Sequence, residues 1–462
     1  MAMNELMLIA DADKRATDYI ASVGNRRVFP NAAALRALSA FSEVIPEQGR
    51  SASETLAMLD DIGSPATVAS NGPHYFGFVI GASLPSAAAA ERMMLAWDQC
   101  ASSFDNSPVA ATVEKVAAGW ILEALDLPRK SAVGFGTSAT ACTIGCLTAA
   151  RRTLLMRQGW DFDADGLIGA PEVKVIVSDV VHITVKKALR ILGFGVNRLL
   201  IAPTDSFGRI DHTQLPIIDN MTILCLQAGE VNTGEFDPFD VLVPLANAAG
   251  AWVHVDGAFG LWARASKTAA HLTSGAELAD SWTTDGHKWL NTPYDGAMAI
   301  CRDADALARA MNSDAVYATA AADAQKNLTL EFSRRARGIP IWAALRTLGR
   351  AGVSEMIDRH IRQAQKLAAA LRKEHFDVVN RVVLNQVLVR GTDDDATRDI
   401  RAAVEASGKA WFGATMWRGR PAFRLSISSW RTSDLDIDEL VDELVKARNA
   451  TLLARQGNIL TD

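Results

Sequence analysis

The sequence predicts an α/β protein built on a mainly parallel, buried sheet of about seven strands. Three observations lead there. From about Ser131 onward, short apolar segments alternate with longer helical ones, which is the order of βαβ units. Those short segments are apolar at successive positions instead of every second one, as strands covered on both faces are. Finally, 49% of the 462 residues are hydrophobic against 22% charged, which suits a large core and excludes a disordered chain.

Residues 1–72 read as a helical wrapping segment, punctuated by Pro and Gly between Gly63 and Pro73. Residues 73–345 form the expected large α/β domain. Its elements are strand Ala132 to Phe135, a helix from about Ser138 to Arg157, strand VKVIVSD and a helix after His182. Strands NRLLIAP and TILCLQ follow, then a helix near Val241 to Ala249 and strands AWVHVD, DSWTTD and GAMAIC. Residues 346–462 read as a smaller α/β domain, with amphipathic helices, strands FDVVNRVVLNQVLVR and PAFRLSISSW, and a last helix DLDIDELVDELVKAR.

A net charge of −6 gives no general nucleic-acid or anionic-membrane footprint. Apolar runs are cut by Pro85, Glu91, Pro244 or His254 before the roughly 18 to 20 residues that a membrane span needs. The N-terminus has acidic residues where a secretion signal has basic ones, and five thinly spread cysteines suit free thiols, so a cytoplasmic location is expected. Cys142 and Cys146 share one helical face, read as small buried residues; no metal site is expected.

The sharpest chemical signal is Asp285-Gly-His287-Lys288-Trp289, a lysine in an apolar, aromatic setting between two strands. A sheltered amine that is neutral can form an imine with an aldehyde; a solvated loop lysine is the competing reading. Asp256 ends strand AWVHVD, where ligand crevices of parallel sheets form, and could hold a protonated ring nitrogen. Its rival role, a Walker-B-like magnesium ligand, lacks the GxxxxGK[ST] loop it needs. Gly134 to Thr140 joins a strand to a helix, so free N–H groups there would face a phosphate. The same run matches GxGxxA, but no acidic residue ends a strand about 20 residues on, as dinucleotide binding requires. His182 follows strand VKVIVSD and could either stack on a flat ring or cap the next helix. Parallel order would bring all four places to one crevice.

With these residues in place, the chain resembles the group II pyridoxal-phosphate-dependent decarboxylases, which act on aromatic amino acids, histidine, tyrosine and glutamate. The resemblance runs from about Gly72 through PHYFGFVIGAS, SFDNSPVAATVEK, SDVVHITVKKALR, QAGEVNTGEFDPFD, WVHVDGAFG, TTDGHKWLNTPYDGAMAIC and SRRARGIPIW to FRLSISSWRT. It implies the fold-type-I, aspartate-aminotransferase-like architecture, pyridoxal 5′-phosphate as cofactor, an amino acid substrate and a homodimer with the active site at its interface. It also implies Lys288 as the Schiff-base lysine, His182 on the ring, Asp256 on the pyridine nitrogen and Ala258 beneath it. Ser138, Ala139, Thr140, His287 and Asp285 match the phosphate region, although Thr140 replaces a more usual serine. Tyr75, Phe76, Phe78 and Phe104 would line the substrate pocket, some of them from the neighbouring subunit.

The implied reaction is loss of carbon dioxide from an L-amino acid, followed by protonation of the α-carbon. Relatives usually protonate with a tyrosine a few residues before SRR, yet Ala320 to Leu330 contains none and the nearest upstream is Tyr317. An aldehyde-forming oxidative deamination, an aminotransferase-like outcome and a cofactor-binding scaffold without turnover therefore stay open. Arg334, Arg335 and Arg337 could meet a substrate carboxylate or form ion pairs. An aromatic substrate is favoured by family frequency, with acidic and small amino acids as the others.

Overall fold

The computed structural model describes residues 2–312 and 324–459. The chain forms two compact units: Ser83–Gln365 with Asn380–Gln386 in one, and the chain up to Ala82, Lys366–Val379 and the chain from Val387 in the other.

The first unit is built on a seven-stranded sheet of β1 (Ala132–Gly136), β2 (Lys174–Ser178), β3 (Leu200–Ala202), β4 (Thr222–Gln227), β5 (Trp252–Asp256), β6 (Ser281–Asp285) and β7 (Ala297–Cys301). Their order across the sheet is β1-β7-β6-β5-β4-β2-β3. The run from β6 to β3 is parallel throughout. Only β7 is reversed, pairing antiparallel with both β6 and β1, so β1 keeps the common direction. The expected mainly parallel, seven-stranded sheet is thus the one found. Every residue of β4, β5, β6 and β7 is buried, which explains the unalternating apolar runs of β4 and β7; β6, SWTTD, is buried too although it carries Ser281, Thr283 and Thr284.

Helix Ala139–Arg157 begins at its cap Ser138, whose hydroxyl accepts the Ala141 N–H at 3.3 Å. Its Leu147 and Leu154 pack with Val175, Val177 and Ile223 of the sheet and with Val185 and Leu189 of helix Ile183–Ile191. Cys142 and Cys146 are buried against Ala297 and Ala299, as small residues that let helix and strand approach. Helix Phe239–Ala248 carries Pro244 within it.

The second unit holds a four-stranded sheet in the order β10-β11-β9-β8, formed by β8 (Asp377–Val378), β9 (Gln386–Arg390), β10 (Gly413–Trp417) and β11 (Arg420–Ser426). The run FDVVNRVVLNQVLVR, expected as one strand, is divided. Val382 takes the left-handed conformation (φ +56°), and β8 folds back antiparallel on β9. Strand β10 was not expected; it lies at the sheet edge with mixed exposure, so its sequence GATMW carries no apolar run. The segment around Tyr75 joins this unit by main-chain bonds: Phe76 N–H donates to the Trp411 carbonyl (2.8 Å), and Ser426 N–H donates to the Phe76 carbonyl (2.9 Å). The first 72 residues contribute helices Ala2–Ser22, Ala32–Ala37 and Ala52–Met58. Among the described residues no helix is long and apolar enough to cross a membrane.

Gly134 in β1 has no room for a side chain, because a Cβ there would overlap the backbone carbonyl of Leu328. Gly134→Ala is therefore expected to cost about 1–3 kcal/mol by forcing a backbone shift. A lowered thermal midpoint measures it, and an unchanged midpoint would mean that the 328 backbone yields freely.

Candidate functional site

Parallel strand order does place the expected residues at one sheet edge. Gln227, Asp256 and Thr283 are register neighbours at or near the ends of β4, β5 and β6. Ala297 of β7 pairs with both Gly136 and Asp285, so β1 and β6 end at the same level. His182 follows β2 and Lys288 follows β6, both on that edge.

Backbone bonds knit these ends together. Ala258 donates its N–H to Asp256 Oδ1 (3.1 Å) and accepts the Asp285 N–H on its carbonyl (2.8 Å). The Asp256 carboxylate is thereby oriented, and the loop after β5 is fixed to the end of β6. His182 caps its helix, with Nδ1 2.6 Å from Thr184 Oγ1 and 3.4 Å from Thr184 N, so the capping reading holds.

Asp285 is the electrostatic centre of the edge. Its side chain is 3% exposed, and Lys288 Nζ lies 3.3 Å from Oδ2 while His287 Nε2 lies 3.7 Å from Oδ1. Oδ1 also accepts the Ala139 N–H at 2.7 Å, at the start of helix Ala139–Arg157. Asp285 and Ala139, both expected to face a phosphate, are thus bonded to each other. His287 Nδ1 accepts the Gly296 N–H (3.2 Å), which leaves the ring's proton on Nε2; burial pushes its pKa down. The lysine loop is anchored by Trp289, fully buried and donating to His360 Nδ1 (2.8 Å), and by Asn291, whose left-handed backbone (φ +58°) closes the turn.

Phe104 is exposed and lines a cavity of about 890 Å³ with Leu122, Phe135, Leu328, Glu114 and Arg334; Lys288, His182 and Asp256 do not line it. Tyr75, Phe76 and Phe78 belong to the other unit. There Tyr75 stacks on Trp411 at 5.1 Å, Phe78 tilts against the same ring, and Phe76 is 1% exposed. Tyr317 lies outside the described residues. The three arginines all meet carboxylates of the chain itself. Arg334 grips Glu114 (3.0 and 2.5 Å), Arg335 pairs with Glu91, and Arg337 meets Asp295 at 3.0 and 3.2 Å.

Sequence reasoning missed a support chain. Gln227 Oε1 accepts the His182 N–H (3.2 Å) and its Nε2 donates to Ser178 (3.1 Å). Asp237 in turn accepts the Gln227 and Ile210 N–H groups (2.7 and 2.8 Å), and burial pushes its pKa up to about 7. The available signal was a single polar residue closing the apolar run TILCLQ.

An amine, a strand-end carboxylate, a histidine and a helix N-terminus at one edge of a parallel sheet define an α/β enzyme suited to an aldehyde cofactor with a ring nitrogen and a phosphate. The chain belongs to the pyridoxal-dependent decarboxylase family, whose conserved-domain model matches residues 40–390. It is 26% identical over 400 residues to tryptophan decarboxylase 1 of Oryza sativa subsp. japonica, covering 77% of this chain and 76% of that one. It is 24% identical over 433 residues to phenylacetaldehyde synthase of Arabidopsis thaliana, covering 86% and 87%. The crystal structure of Oryza sativa TDC with PLP and tryptamine shares the fold, with a TM-score of 0.88 at 23% identity over 98% of this chain and 99% of that one. The cofactor is therefore pyridoxal phosphate and the reaction class carboxy-lyase. The donor set fits that group, since Lys288 offers an amine and Asp256 a carboxylate fixed by the Ala258 N–H.

Two measurements check the frame of the site. Glu114→Gln leaves Arg334, 1% exposed, as a charge without its carboxylate, and a loss of about 3–5 kcal/mol is expected in denaturant unfolding. His254, fully buried on β5 with Nδ1 bonded to Ser281 Oγ (2.9 Å), has its pKa pushed down to about 4 by burial. The unfolded chain takes up that proton first, so this contribution to stability is present above the ordinary 6.5 and is lost as pH falls toward about 4. His254→Asn should flatten the dependence of thermal midpoint on pH across that window; an equally steep fall would assign it to other groups.

Proposed function

We propose that this chain decarboxylates an L-amino acid, with an aromatic amino acid as the first substrate to test. The observation that carries the reading is the joining of Lys288, Asp285, Ala258 and Asp256 at one sheet edge, in a chain of the pyridoxal-dependent decarboxylase family. The tryptophan decarboxylase among its relatives supports the aromatic choice.

Lys288 would supply the amine that attaches the cofactor's aldehyde. Asp256 would hold the ring nitrogen, and His182 and Ala258 would hold the ring. Ser138, Ala139, Thr140, Asp285 and His287 would line the phosphate region, with the positive end of helix Ala139–Arg157 behind it. Bound pyridoxal phosphate supplies the electron sink that makes departure of carbon dioxide from the α-carbon feasible. The chain must then deliver a proton to that carbon; Tyr317 is the proposed donor, with His182 as the alternative.

The active chain is proposed to be a cytoplasmic homodimer, divided functionally into residues 1–72, 73–345 and 346–462. Tyr75, Phe76, Phe78 and Phe104 are proposed to line the substrate pocket, some contributed by the second subunit. Exposed apolar side chains support an assembly: Val44 is 86% and Ile45 89% exposed, and Phe104 is 62% exposed.

A second reading follows from the absence of tyrosine in Ala320 to Leu330, together with the aldehyde synthase among the relatives. In it dioxygen from solution is the oxidant and water a reactant, and the products are carbon dioxide, an aldehyde, ammonia and hydrogen peroxide. Assay of the purified, cofactor-loaded protein with L-tryptophan, L-tyrosine and L-phenylalanine separates the two by amine or aldehyde accompanying carbon dioxide. Lys288→Ala is expected to lose the borohydride-sensitive visible band and all product; turnover surviving in that variant would overturn the assignment. Tyr317→Phe at full turnover would remove that tyrosine as proton donor.

A further inference from the structure

We propose that His74, Asp436 and Glu439 form a binding site for a divalent transition-metal ion, with zinc(II) as the ion to test, in the unit that carries the four-stranded sheet. The proposal does not rest on the reading of Lys288. His74 Nε2 lies 2.7 Å from Asp436 Oδ1 and 3.6 Å from Glu439 Oε2, and the three ligand atoms all fall within 4.8 Å of one another. Around a tetrahedral zinc ion with bonds of about 2.0–2.1 Å, ligand atoms stand about 3.3 Å apart, so small side-chain adjustments turn this triangle into a coordinating one. The three side chains line a cleft of about 460 Å³, which leaves room for the water that completes an open site. Residue order hides the set, because His74 and Asp436 are 362 positions apart.

The donors are held in place before any ion arrives. Asp436 and Glu439 stand three positions apart in helix Asp434–Ile459 and so share a face. Asp436 divides its oxygens: Oδ2 accepts the Ser433 N–H (2.7 Å) and hydroxyl (2.6 Å), which leaves Oδ1 to His74. Support of this kind from behind orients a ligating carboxylate. On the other side, Thr432 donates its hydroxyl to the Pro73 carbonyl (2.7 Å), fixing the chain next to His74. The cations of the cleft are engaged elsewhere. Arg26 donates to the Ser64 carbonyl, Arg27 to the Ala406 and Ser407 carbonyls, and Lys409 meets Glu443 at 3.6 Å, while Lys446 is exposed. Among the described residues no lysine or arginine pairs with Asp436 or Glu439, so two carboxylates face a single imidazole. An imidazole beside carboxylates suits zinc(II) or a similar ion better than calcium or magnesium, which take oxygen ligands. On binding, the Nε2 lone pair and one oxygen from each carboxylate bond the ion, and the proton now between His74 and Asp436 leaves to solvent. The ion then ties the segment before Tyr75 to the last helix and stabilises the folded chain by mass action.

The test uses the full, untagged, cofactor-loaded chain, freed of metal with a chelator and titrated with zinc(II) in competition with a chromogenic zinc indicator. One tight equivalent per chain is expected. His74→Gln and Glu439→Gln should each weaken it by about tenfold or more, the scale on which zinc sites respond to loss of a supporting group. Glu439 is 59% exposed, so its substitution leaves the core intact, and circular dichroism verifies the fold of both variants. Zinc should also raise the thermal midpoint of the wild type and leave that of either variant unmoved. Copper(II) gives a spectroscopic signature: one imidazole nitrogen coupled to the ion in the wild type, lost in His74→Gln. A wild-type chain that takes up no equivalent of zinc overturns the proposal. Binding undiminished in His74→Gln overturns it by placing the ion elsewhere, and binding undiminished in Glu439→Gln overturns the three-ligand set.

Discussion

Six strands running the same way is the constraint from which the site follows. A strand that ends in a parallel sheet hands its chain to a loop at one edge, and every loop from β1, β2, β4, β5 and β6 emerges there. Buried on both faces, the strands are largely apolar, and polar groups within them, such as His254 and Ser281, are bonded to each other. Polar residues appear where the strands stop: Gln227, Asp256 and Asp285 close β4, β5 and β6. Burial and chemistry are thus separated along each strand, with core in the middle and function at the tip.

At that edge the difficulty is electrostatic. Carboxylates with little access to water are costly unless something opposes them, and each here is opposed differently. Asp285 has an ammonium, an imidazole and a helix N-terminus around it. Asp256 is oriented by the Ala258 N–H, and Asp237 accepts two main-chain N–H groups that hold the Gln227 strand end in place. The carboxylates act on the site's geometry through these bonds, so the positions of Lys288 and His182 are set by the loops' own satisfied polar groups and owe little to free side-chain choice.

Much of this was legible from residue order. The alternation of apolar runs and helical stretches, and Asp256, His182 and Lys288 as strand-end residues, could all be read, because period and punctuation are local properties. Strand β10 could not, since an edge strand of mixed exposure carries no apolar run. The break at Val382 was hidden too, because a valine in a left-handed turn leaves no mark in composition. The arginines of SRRARG were ambiguous for a different reason. Their partners Glu114, Glu91 and Asp295 are up to 244 residues away, and no spacing rule connects them.

The sequence by itself determined the fold class, the family and the kinds of group available for chemistry, since each depends on short-range pattern or on motifs a few residues long. Only the tertiary structure decided which group meets which. That Asp285 faces Ala139, 146 residues away, follows from how strands separated by many residues come to lie level with one another, and Arg334 meets Glu114 inside the chain by the same folding. Register is a long-range property, fixed when whole strands bury together, and one carboxylate looks like another until the sheet has placed it.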